Sequence, residues 1–240
     1  MHPDADRTRR LARRALLILA VGGVILAAAL VSVYMALPDR PQATAPASRL
    51  AEPGSVPIGG PFALVDHRGR TVTEKSFGGR YLLVFFGFTN CPDVCPTTLG
   101  DIARALDLLG SEANAVRPLF VSLDPERDGP KRLAEYVKAF HPRIVGLTGT
   151  PRQIAAVAKA YRVFYEKVSA KSYYDGKAAS SKEPKPVGDD YLISHQGNTY
   201  LMSPKGEYLV HFSYGTKAPE IARVIREAIA KYGNPARREE

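Results

Sequence analysis

Hydrophobic positions divide the chain into an N-terminal apolar stretch and a longer region in which short apolar segments alternate with amphipathic ones. Residues 15–37 carry no charged side chain, and this length is enough to cross a hydrocarbon core of about 30 Å. The alternation further along the chain, between buried-strand patterns and helical periods, is typical of an α/β domain. The pattern therefore predicts one transmembrane helix followed by an α/β domain.

Positive charge is concentrated on one side of the predicted transmembrane helix. Five arginines and two aspartates precede it in residues 1–14, whereas only Asp39 and Arg40 follow it closely. Because positively charged flanks stay in the cytoplasm, we expect a single-pass protein of the inner membrane whose C-terminal domain lies in the periplasm. A mitochondrial inner membrane would give the domain the same topology.

A cleavable signal peptide is the alternative interpretation of the apolar stretch. Ala43–Ala47 offers small-residue cleavage sites. However, the stretch is longer than the apolar core of a signal peptide, which is about 7–15 residues. An uncleaved anchor is therefore favoured.

Composition divides the rest of the chain at two places. Residues 38–58 are rich in proline, alanine, serine and threonine and have no hydrophobic period, which predicts an extended linker. Residues 59–234 have the length of one ordinary domain with its own core, and residues 235–240 form a charged tail.

Apolar runs predict the strands of this domain, and helical periods predict the helices between them. Residues 81–86 are apolar throughout, as in a strand covered on both faces. The helix after this strand is predicted to begin near Pro96 and to end at Gly110. Further predictions are hairpins around Gly69 and residues 203–206, and strands at 119–123, 144–149 and 162–165. Helices are predicted through 133–140, from 151 and over 218–232, with an exposed excursion at 169–190. The fold class is therefore α/β, with a central mixed sheet flanked by helices.

The formal charge of +9 is a weak guide to partners. Residues 1–14 contribute a net +3 of it, and the remainder is scattered through the rest of the chain. The sequence contains no basic stripe interleaved with aromatic residues and no nucleic-acid-binding motif. We therefore expect no nucleic-acid partner, and the surface charge favours an acidic one.

The two cysteines of the chain, Cys91 and Cys95, are candidate redox or metal-binding residues. They follow the apolar strand at the start of the next predicted helix, whose N-terminus stabilises a thiolate over a thiol. Thioredoxin-like domains carry a reactive cysteine pair at such a junction, usually spaced C-x-x-C, whereas the spacing here is C-x-x-x-C. In an exported domain the pair can be a disulfide, a redox couple or a soft metal site.

A metal held by these two thiolates needs a third ligand from elsewhere in the chain. Two cysteines and one imidazole suit copper, especially Cu(I), whereas structural zinc needs a fourth ligand that no further cysteine supplies. Four histidines lie in the predicted exported part: His67, His141, His195 and His211. The residues alone do not select among them.

Segment 86–96, FGFTNCPDVCP, resembles the signature of the Sco/SenC family of membrane-anchored copper proteins. Four further segments resemble the family in the same order: 122–128 (SLDPERD), 146–149 (GLTG), 190–195 (DYLISH) and 200–206 (YLMSPKG). The resemblance implies a thioredoxin-like fold tethered by one N-terminal transmembrane helix. It also implies that Cys91, Cys95 and His195 bind one copper per chain, as Cu(I), Cu(II) or both.

By this resemblance the chain is a metallochaperone rather than an enzyme, and no residue is predicted to be catalytic. It would deliver copper to, and help assemble, the copper centre of cytochrome c oxidase. The implied partners are the copper-bearing subunit of the oxidase and an upstream copper donor.

Two alternatives to copper delivery remain. In a thiol–disulfide oxidoreductase, Cys91 would attack a partner disulfide, Cys95 would resolve the mixed disulfide, and His195 would be dispensable. A purely structural disulfide is disfavoured by Pro92 and Pro96 beside the pair and by the helix N-terminus.

The acidic residues near these motifs are predicted to be structural. Asp124 and Asp128 lie in a turn that suits helix entry, with Asp128 capping the next helix and Arg127 pairing locally. Asp93, between the cysteines, is expected to be exposed.

Overall fold

The computed structural model describes residues 49–174 and 190–235, together with helical positions 22, 23, 26, 28, 29 and 32. The chain divides into two units, Met1–Ala47 and Ser48–Glu240. All strands and numbered helices below belong to the second unit.

The predicted membrane anchor falls on a part of the chain that the structure hardly covers. Residues 15–37 lie outside the described residues except at the helical positions named above, and residues 1–14 lie outside them entirely. Among the residues that are described, no helix is both long enough and apolar enough to cross a membrane.

In the described part of the second unit, seven strands form a mixed central sheet, which confirms the predicted fold class. The strands, numbered along the chain, are β1 (Ala63–Asp66), β2 (Thr71–Thr73), β3 (Tyr81–Gly87), β4 (Val116–Ser122), β5 (Val145–Thr148), β6 (Tyr165–Ser169), β7 (Tyr191–His195), β8 (Thr199–Met202) and β9 (Tyr208–Phe212). The central sheet has the order β2-β1-β5-β4-β3-β8-β9. Strands β3, β4 and β5 are parallel to one another, and the other pairs are antiparallel.

Strand β3 lies inside the sheet and leads directly to the cysteines. Every residue of β3 is buried, as its continuous apolar sequence predicts. Its parallel register with β4 pairs Tyr81 with Val116 and Gly87 with Ser122, so the two strands end together. The loop after β3 and the turn after β4 are therefore neighbours at the C-terminal end of these two parallel strands.

Helices connect the parallel strands and flank the sheet. They are α1 (Val94–Leu109), α2 (Pro130–Lys138), α3 (Pro151–Ala160), α4 (Ala170–Tyr174) and α5 (Ala218–Tyr232), with 3-10 turns at Glu74–Phe77 and Gly110–Ala115. Helix α1 buries the predicted apolar stripe and packs against α5, whereas α2 packs against β5. Helix α1 begins at Val94 rather than at the predicted Pro96. Proline is tolerated in the first turn, because the N–H groups there have no intrahelical partner. Cys95 thus lies in the first turn of α1.

Both predicted hairpins are present. Strands β1 and β2 are joined by a turn in which Gly69 has φ +80°, and β8 and β9 are joined by a turn in which Gly206 has φ +82°. A residue with a side chain rarely adopts this left-handed conformation, which explains glycine at both turns.

A second sheet has two strands, and one of them, β7, lies in the segment DYLISH and ends at His195. Strand β6 pairs with β7 in antiparallel register, and Tyr165 lies opposite His195. The sequence places this strand at 162–165, but it begins only at Tyr165, because residues 161 and 162 form a turn after α3 in which Arg162 has φ +55°. Part of the predicted excursion at 169–190 is α4, and residues 175–189 lie outside the described residues.

Residues 49–58, at the end of the predicted linker, pack against the domain. The N–H of Ala51 donates to the carbonyl of Leu209 at 2.6 Å, and Val56 and Ile58 contact the core. These contacts bring the start of the packed region back to about Leu50, while residues 38–48 lie outside the described residues.

Candidate metal centre

The two cysteines lie where β3 gives way to α1. The N–H of Cys91 donates to the carbonyl of Phe88 at 3.3 Å, which closes a turn after the strand. Both thiols are free, Cys95 is completely buried, and Cys91 keeps 7% of its surface exposed. The C-x-x-x-C spacing allows the two sulfurs to face a common point outside the protein, but both side chains are buried. Any partner therefore meets Cys91 before Cys95.

Gly87 makes room for the buried thiol at the end of β3. A Cβ atom at this position would lie 2.7 Å from Cys95 Sγ and 2.8 Å from the ring of Phe120. Neither neighbour is the free end of a flexible surface side chain, so a larger residue would displace the thiol. Glycine is required here by a close approach rather than by its backbone conformation.

The two thiols differ in acidity. The pKa of Cys91 is lowered to about 6, mainly by a hydrogen bond from the Cys95 thiol and further by backbone N–H groups, including that of Cys95 at 3.4 Å. Burial raises the pKa of Cys95, and the negative charge on Cys91 adds to that effect. At neutral pH the reduced pair therefore holds a thiolate at Cys91 and a thiol at Cys95.

His195 meets this pair from the other sheet. Its Nε2 lies 3.8 Å from Cys95 Sγ, and its Nδ1 lies 2.9 Å from the carbonyl oxygen of Gln196. Because a carbonyl can only accept, Nδ1 carries the proton and the lone pair of Nε2 faces the thiol. A ligating histidine commonly has this arrangement, in which the second ring nitrogen donates to a backbone carbonyl.

The surroundings of His195 keep its ring neutral. The ring packs against Phe85 and Phe88, with centroids 6.4 and 6.1 Å away. Burial lowers the pKa of His195, which preserves the Nε2 lone pair at neutral pH.

The separation of the two nearest donors fits a shared ion. Bonds of about 2.3 Å to sulfur and about 2.0 Å to nitrogen, about 120° apart, place the two donors about 3.7 Å from each other, close to the 3.8 Å between Cys95 Sγ and His195 Nε2. Among the described residues, however, no group of three or more His, Cys, Asp or Glu side chains already surrounds a common metal position. The Cys95–His195 pair therefore has the spacing for a shared ion.

The other three candidate histidines have partners elsewhere. His67 Nδ1 accepts from the N–H of Gly146 at 3.0 Å, and His141 Nδ1 accepts from the N–H of Arg143 at 3.1 Å. His211 Nδ1 lies 2.7 Å from the hydroxyl of Tyr208. Of the four histidines, His195 is the one for which the structure records a contact with a cysteine.

Comparison with known protein families gives a match over most of the chain. The family model described as SCO1/SenC matches residues 51–230, three quarters of the chain. This chain belongs to the SCO1/SenC family. The match contains both cysteines and His195.

Individual relatives extend the comparison. The human protein named SCO1 homolog, mitochondrial, is 40% identical over 177 residues, which cover 73% of this chain and 54% of the human protein. The crystal structure of Arabidopsis thaliana ScoI with copper bound is 37% identical, with a TM-score of 0.63, and the match covers 73% of this chain and 99% of that one. BsSco, described as a member of the Sco family of cytochrome c oxidase assembly proteins with a disulfide switch, is 25% identical with a TM-score of 0.54, covering 75% of this chain and 96% of that one.

The chain spans only about half to three fifths of the length of several curated relatives that it matches, the human protein among them. The shared fold, by contrast, covers nearly all of the solved Sco chains.

One acidic residue of this SCO1/SenC chain holds the loop that precedes Cys91. Asp128 is completely buried and accepts hydrogen bonds from the N–H of Thr89 at 2.9 Å, from the Thr89 hydroxyl at 2.6 Å and from the Ser122 hydroxyl at 2.6 Å. Arg132 on α2 reinforces the same loop, since its guanidinium donates to Thr89 Oγ1 at 2.5 Å and to Asn90 Oδ1 at 3.0 Å. The predicted helix cap is wrong: α2 has Gly129 at its N-cap, and Asp128 reaches across to the cysteine loop instead.

The first half of the same turn holds the strand that carries His195. Asp124, also completely buried, accepts a hydrogen bond from the Tyr191 hydroxyl at 2.7 Å and pairs with Arg127. Arg127 stacks over the Tyr191 ring at 3.6 Å and donates to the Tyr191 carbonyl at 3.0 Å. The predicted local pairing of Arg127 is confirmed. In addition, the SLDPERD turn connects the cysteine loop to β7.

The sequence analysis did not identify the residues that hydrogen-bond to this turn. Thr89, Ser122 and Tyr191 were not singled out, although each lies in a segment that resembles the family. Hydrogen bonds between the acidic turn and polar residues of those segments could have been proposed from the sequence. Asp93 is exposed and accepts from the Thr97 hydroxyl at 3.3 Å.

Proposed function

We propose that this chain is a membrane-anchored, copper-binding metallochaperone that delivers copper to, and helps assemble, the copper centre of cytochrome c oxidase. The approach of His195 Nε2 to Cys95 Sγ at 3.8 Å carries the proposal, because a soft sulfur and an imidazole at the spacing of one ion suit copper. Copper is bound in Arabidopsis thaliana ScoI, and BsSco is described as belonging to a family of oxidase assembly proteins. Both observations support this role.

Cys91, Cys95 and His195 would hold one copper per chain. Three soft or borderline donors leave a coordination position open, through which a partner's ligand can enter and take the metal by exchange. Of the two thiols, Cys91 is the more accessible, since it keeps 7% of its surface exposed whereas Cys95 is fully buried. Exchange with the upstream donor and with the copper-bearing oxidase subunit would therefore begin on the Cys91 side.

Thiol–disulfide exchange is a second candidate function. Cys91 Sγ, as a thiolate, would attack a partner disulfide, forming a mixed disulfide and releasing one partner thiol. Cys95 would then displace the second partner thiol, so the partner gains two electrons and a Cys91–Cys95 disulfide remains. Two free thiols joined by a hydrogen bond from the Cys95 N–H to Cys91 Sγ at 3.4 Å, together with the disulfide switch described for BsSco, support this alternative.

Oxidase assembly in cells tests the two functions against each other. Cells that lack the gene are complemented with the parent, His195→Ala, Cys91→Ser or, as a matched control, His211→Ala, whose side chain is exposed on β9. Copper delivery predicts oxidase activity with the parent and the control, and loss of activity in the other two. An active oxidase in His195→Ala cells but not in Cys91→Ser cells would favour thiol exchange, and activity in both would exclude both functions.

The location of the domain is part of the proposal. Residues 15–37 would anchor the chain in the inner membrane, with residues 1–14 in the cytoplasm and residues 59–234 in the periplasm. The uncharged stretch and its arginine-rich flank support this topology. Two measurements test this topology with a C-terminally tagged protein. Protease added to spheroplasts should digest the tagged domain, and alkaline carbonate should not extract the protein from the membrane. A domain protected from protease, or a protein extracted by carbonate, would contradict the topology.

A further inference from the structure

A basic pocket lies at the end of the central sheet opposite the cysteines. It has a volume of about 300 Å³, and its polar lining includes Asp66, His67, Arg68, Arg70, Arg80 and Arg117. Arg80 precedes β3 and Arg117 is the second residue of β4, whereas Cys91 follows the far end of β3. A seven-residue strand spans about 23 Å. The pocket is therefore separate from the candidate metal centre.

Positive charge in this pocket exceeds negative charge. Four arginines face a single carboxylate, Asp66, whose oxygens are already occupied. Asp66 accepts from Arg70 Nε at 2.9 Å, from Arg70 Nη2 at 2.7 Å, and from the N–H groups of Arg68 and Arg70, both at 2.9 Å. Among the described residues, no carboxylate lies within ion-pair distance of the Arg68 or Arg117 side chains.

Arg117 has the least favourable surroundings of the four. Its side chain is half-buried on β4, and its pKa is lowered by burial and by repulsion from Arg80, Arg143 and Arg68. Asn114 helps to keep two of these neighbours in place, because its carbonyl accepts from Arg80 Nε at 3.3 Å and its side-chain oxygen accepts from Arg143 Nη2 at 2.5 Å. A half-buried cation without a counter-ion is costly, and an anion in the pocket would remove that cost.

We propose that this pocket binds a phosphate group, either free inorganic phosphate or the headgroup of an anionic lipid. A phosphate dianion neutralises two charges and accepts hydrogen bonds from several guanidinium groups at once, whereas a single carboxylate would leave more of the excess charge in place. His67 provides a neutral donor, because its Nδ1 accepts from the Gly146 N–H at 3.0 Å and the proton is therefore on Nε2.

Thermal unfolding of the full-length protein in a neutral detergent tests this site. Phosphate is compared with chloride at equal ionic strength, so that general screening is the same in both. Phosphate at about one hundred times its Kd should raise Tm by about 5–10 °C. The rise should disappear in Arg117→Gln and Arg68→Gln and persist in Arg152→Gln, which removes an exposed charge from α3. Arg68 is an exposed turn residue, so its replacement leaves the fold intact.

Two short-chain lipids distinguish the sources of the phosphate group. If dihexanoyl phosphatidic acid binds at least tenfold more tightly than inorganic phosphate while dihexanoyl phosphatidylcholine does not bind, the ligand is an anionic lipid headgroup. If inorganic phosphate binds as tightly as the lipid, the ligand is free phosphate. The proposal is overturned if neither anion changes Tm relative to chloride, or if Arg152→Gln loses as much of the shift as Arg68→Gln.

Discussion

His195 Nε2 lies 3.8 Å from Cys95 Sγ, although 100 residues separate the two in the chain. The two side chains are held by different parts of one turn. Asp128 accepts hydrogen bonds from the loop before Cys91, and Asp124 accepts one from Tyr191, at the start of the strand that ends at His195. The turn between β4 and α2 therefore sets the distance between the two candidate ligands.

Replacing Asp128 should loosen the cysteine loop. In Asp128→Asn, the amide nitrogen would face groups that now donate to the carboxylate, leaving the Thr89 N–H with a weaker partner. Loss of such a buried hydrogen-bonding arrangement costs about 1–3 kcal/mol of unfolding free energy, which urea denaturation of the metal-free protein can measure. Copper affinity should fall about 10–100-fold, as for other residues that orient a metal ligand.

Asp107→Asn provides the matched control for this prediction, since the Asp107 side chain is 73% exposed. Stability and copper affinity should both stay close to those of the parent. Equal behaviour of the Asp107 and Asp128 variants would show that Asp128 does not position the loop.

Two tyrosine hydroxyls should behave in opposite ways when removed. Tyr191→Phe deletes the 2.7 Å hydrogen bond to buried Asp124 and should cost about 1 kcal/mol or more of unfolding free energy. Tyr136→Phe deletes a buried hydroxyl that has no hydrogen-bond partner among the described residues, and should be neutral or stabilising. Thermal or urea unfolding of the two variants is the measurement, and a larger loss for Tyr136→Phe would contradict the assignment.

Gly87→Ala should disturb the buried thiol. The added Cβ would lie 2.7 Å from Cys95 Sγ and 2.8 Å from Phe120, so we expect a destabilisation of about 1–3 kcal/mol and weaker copper binding. Gly129→Ala is the control, because nothing lies within 4 Å of a Cβ there and the residue has an ordinary φ of −70°. A Gly87→Ala protein as stable as the Gly129→Ala protein would mean that the thiol is not packed as described.

Alkylation of the reduced, metal-free protein should report the unequal acidity of the thiols. Cys91 has its pKa lowered to about 6, so its rate of reaction with iodoacetamide should rise with pH and reach half its maximum near pH 6. Cys95 should remain unmodified, because it is buried and burial raises its pKa. In Cys95→Ala the main hydrogen-bond donor to the thiolate is lost, so the midpoint should move to higher pH. An unchanged midpoint would show that Cys95 does not stabilise the thiolate.

Local sequence patterns were sufficient for much of the fold. The strand Tyr81–Gly87 is apolar on both faces, and Gly69 marks a turn that only glycine adopts easily, so these elements follow from short-range properties of the chain. The sequence pattern predicted β6 at the wrong residues, because the burial of this strand is irregular. Val168 is its one buried residue, while Phe164 before it is large but exposed. Its position depends on pairing with β7 rather than on its own pattern.

The candidate site was less accessible to local reasoning. Helix-capping statistics assigned Asp128 to the helix that follows it, but Thr89 and Ser122 compete for the same carboxylate across the sheet edge and determine its position. Likewise, no local feature separates His195 from the other histidines. The resemblance to a family selected it, and the structure adds the contact with Cys95.

Copper titration of the reduced protein is the most direct test of the three-ligand site. Parent protein, His195→Ala, Cys91→Ser and the control His211→Ala are titrated with Cu(I) and with Cu(II), with the thiolate-to-copper charge-transfer absorption followed in the Cu(II) series. We expect one copper per chain for the parent and the control, and an affinity at least about 100-fold lower in the two ligand variants. If His195→Ala binds copper as tightly as the parent, with the same absorption spectrum, His195 is not a ligand and the proposed site is wrong.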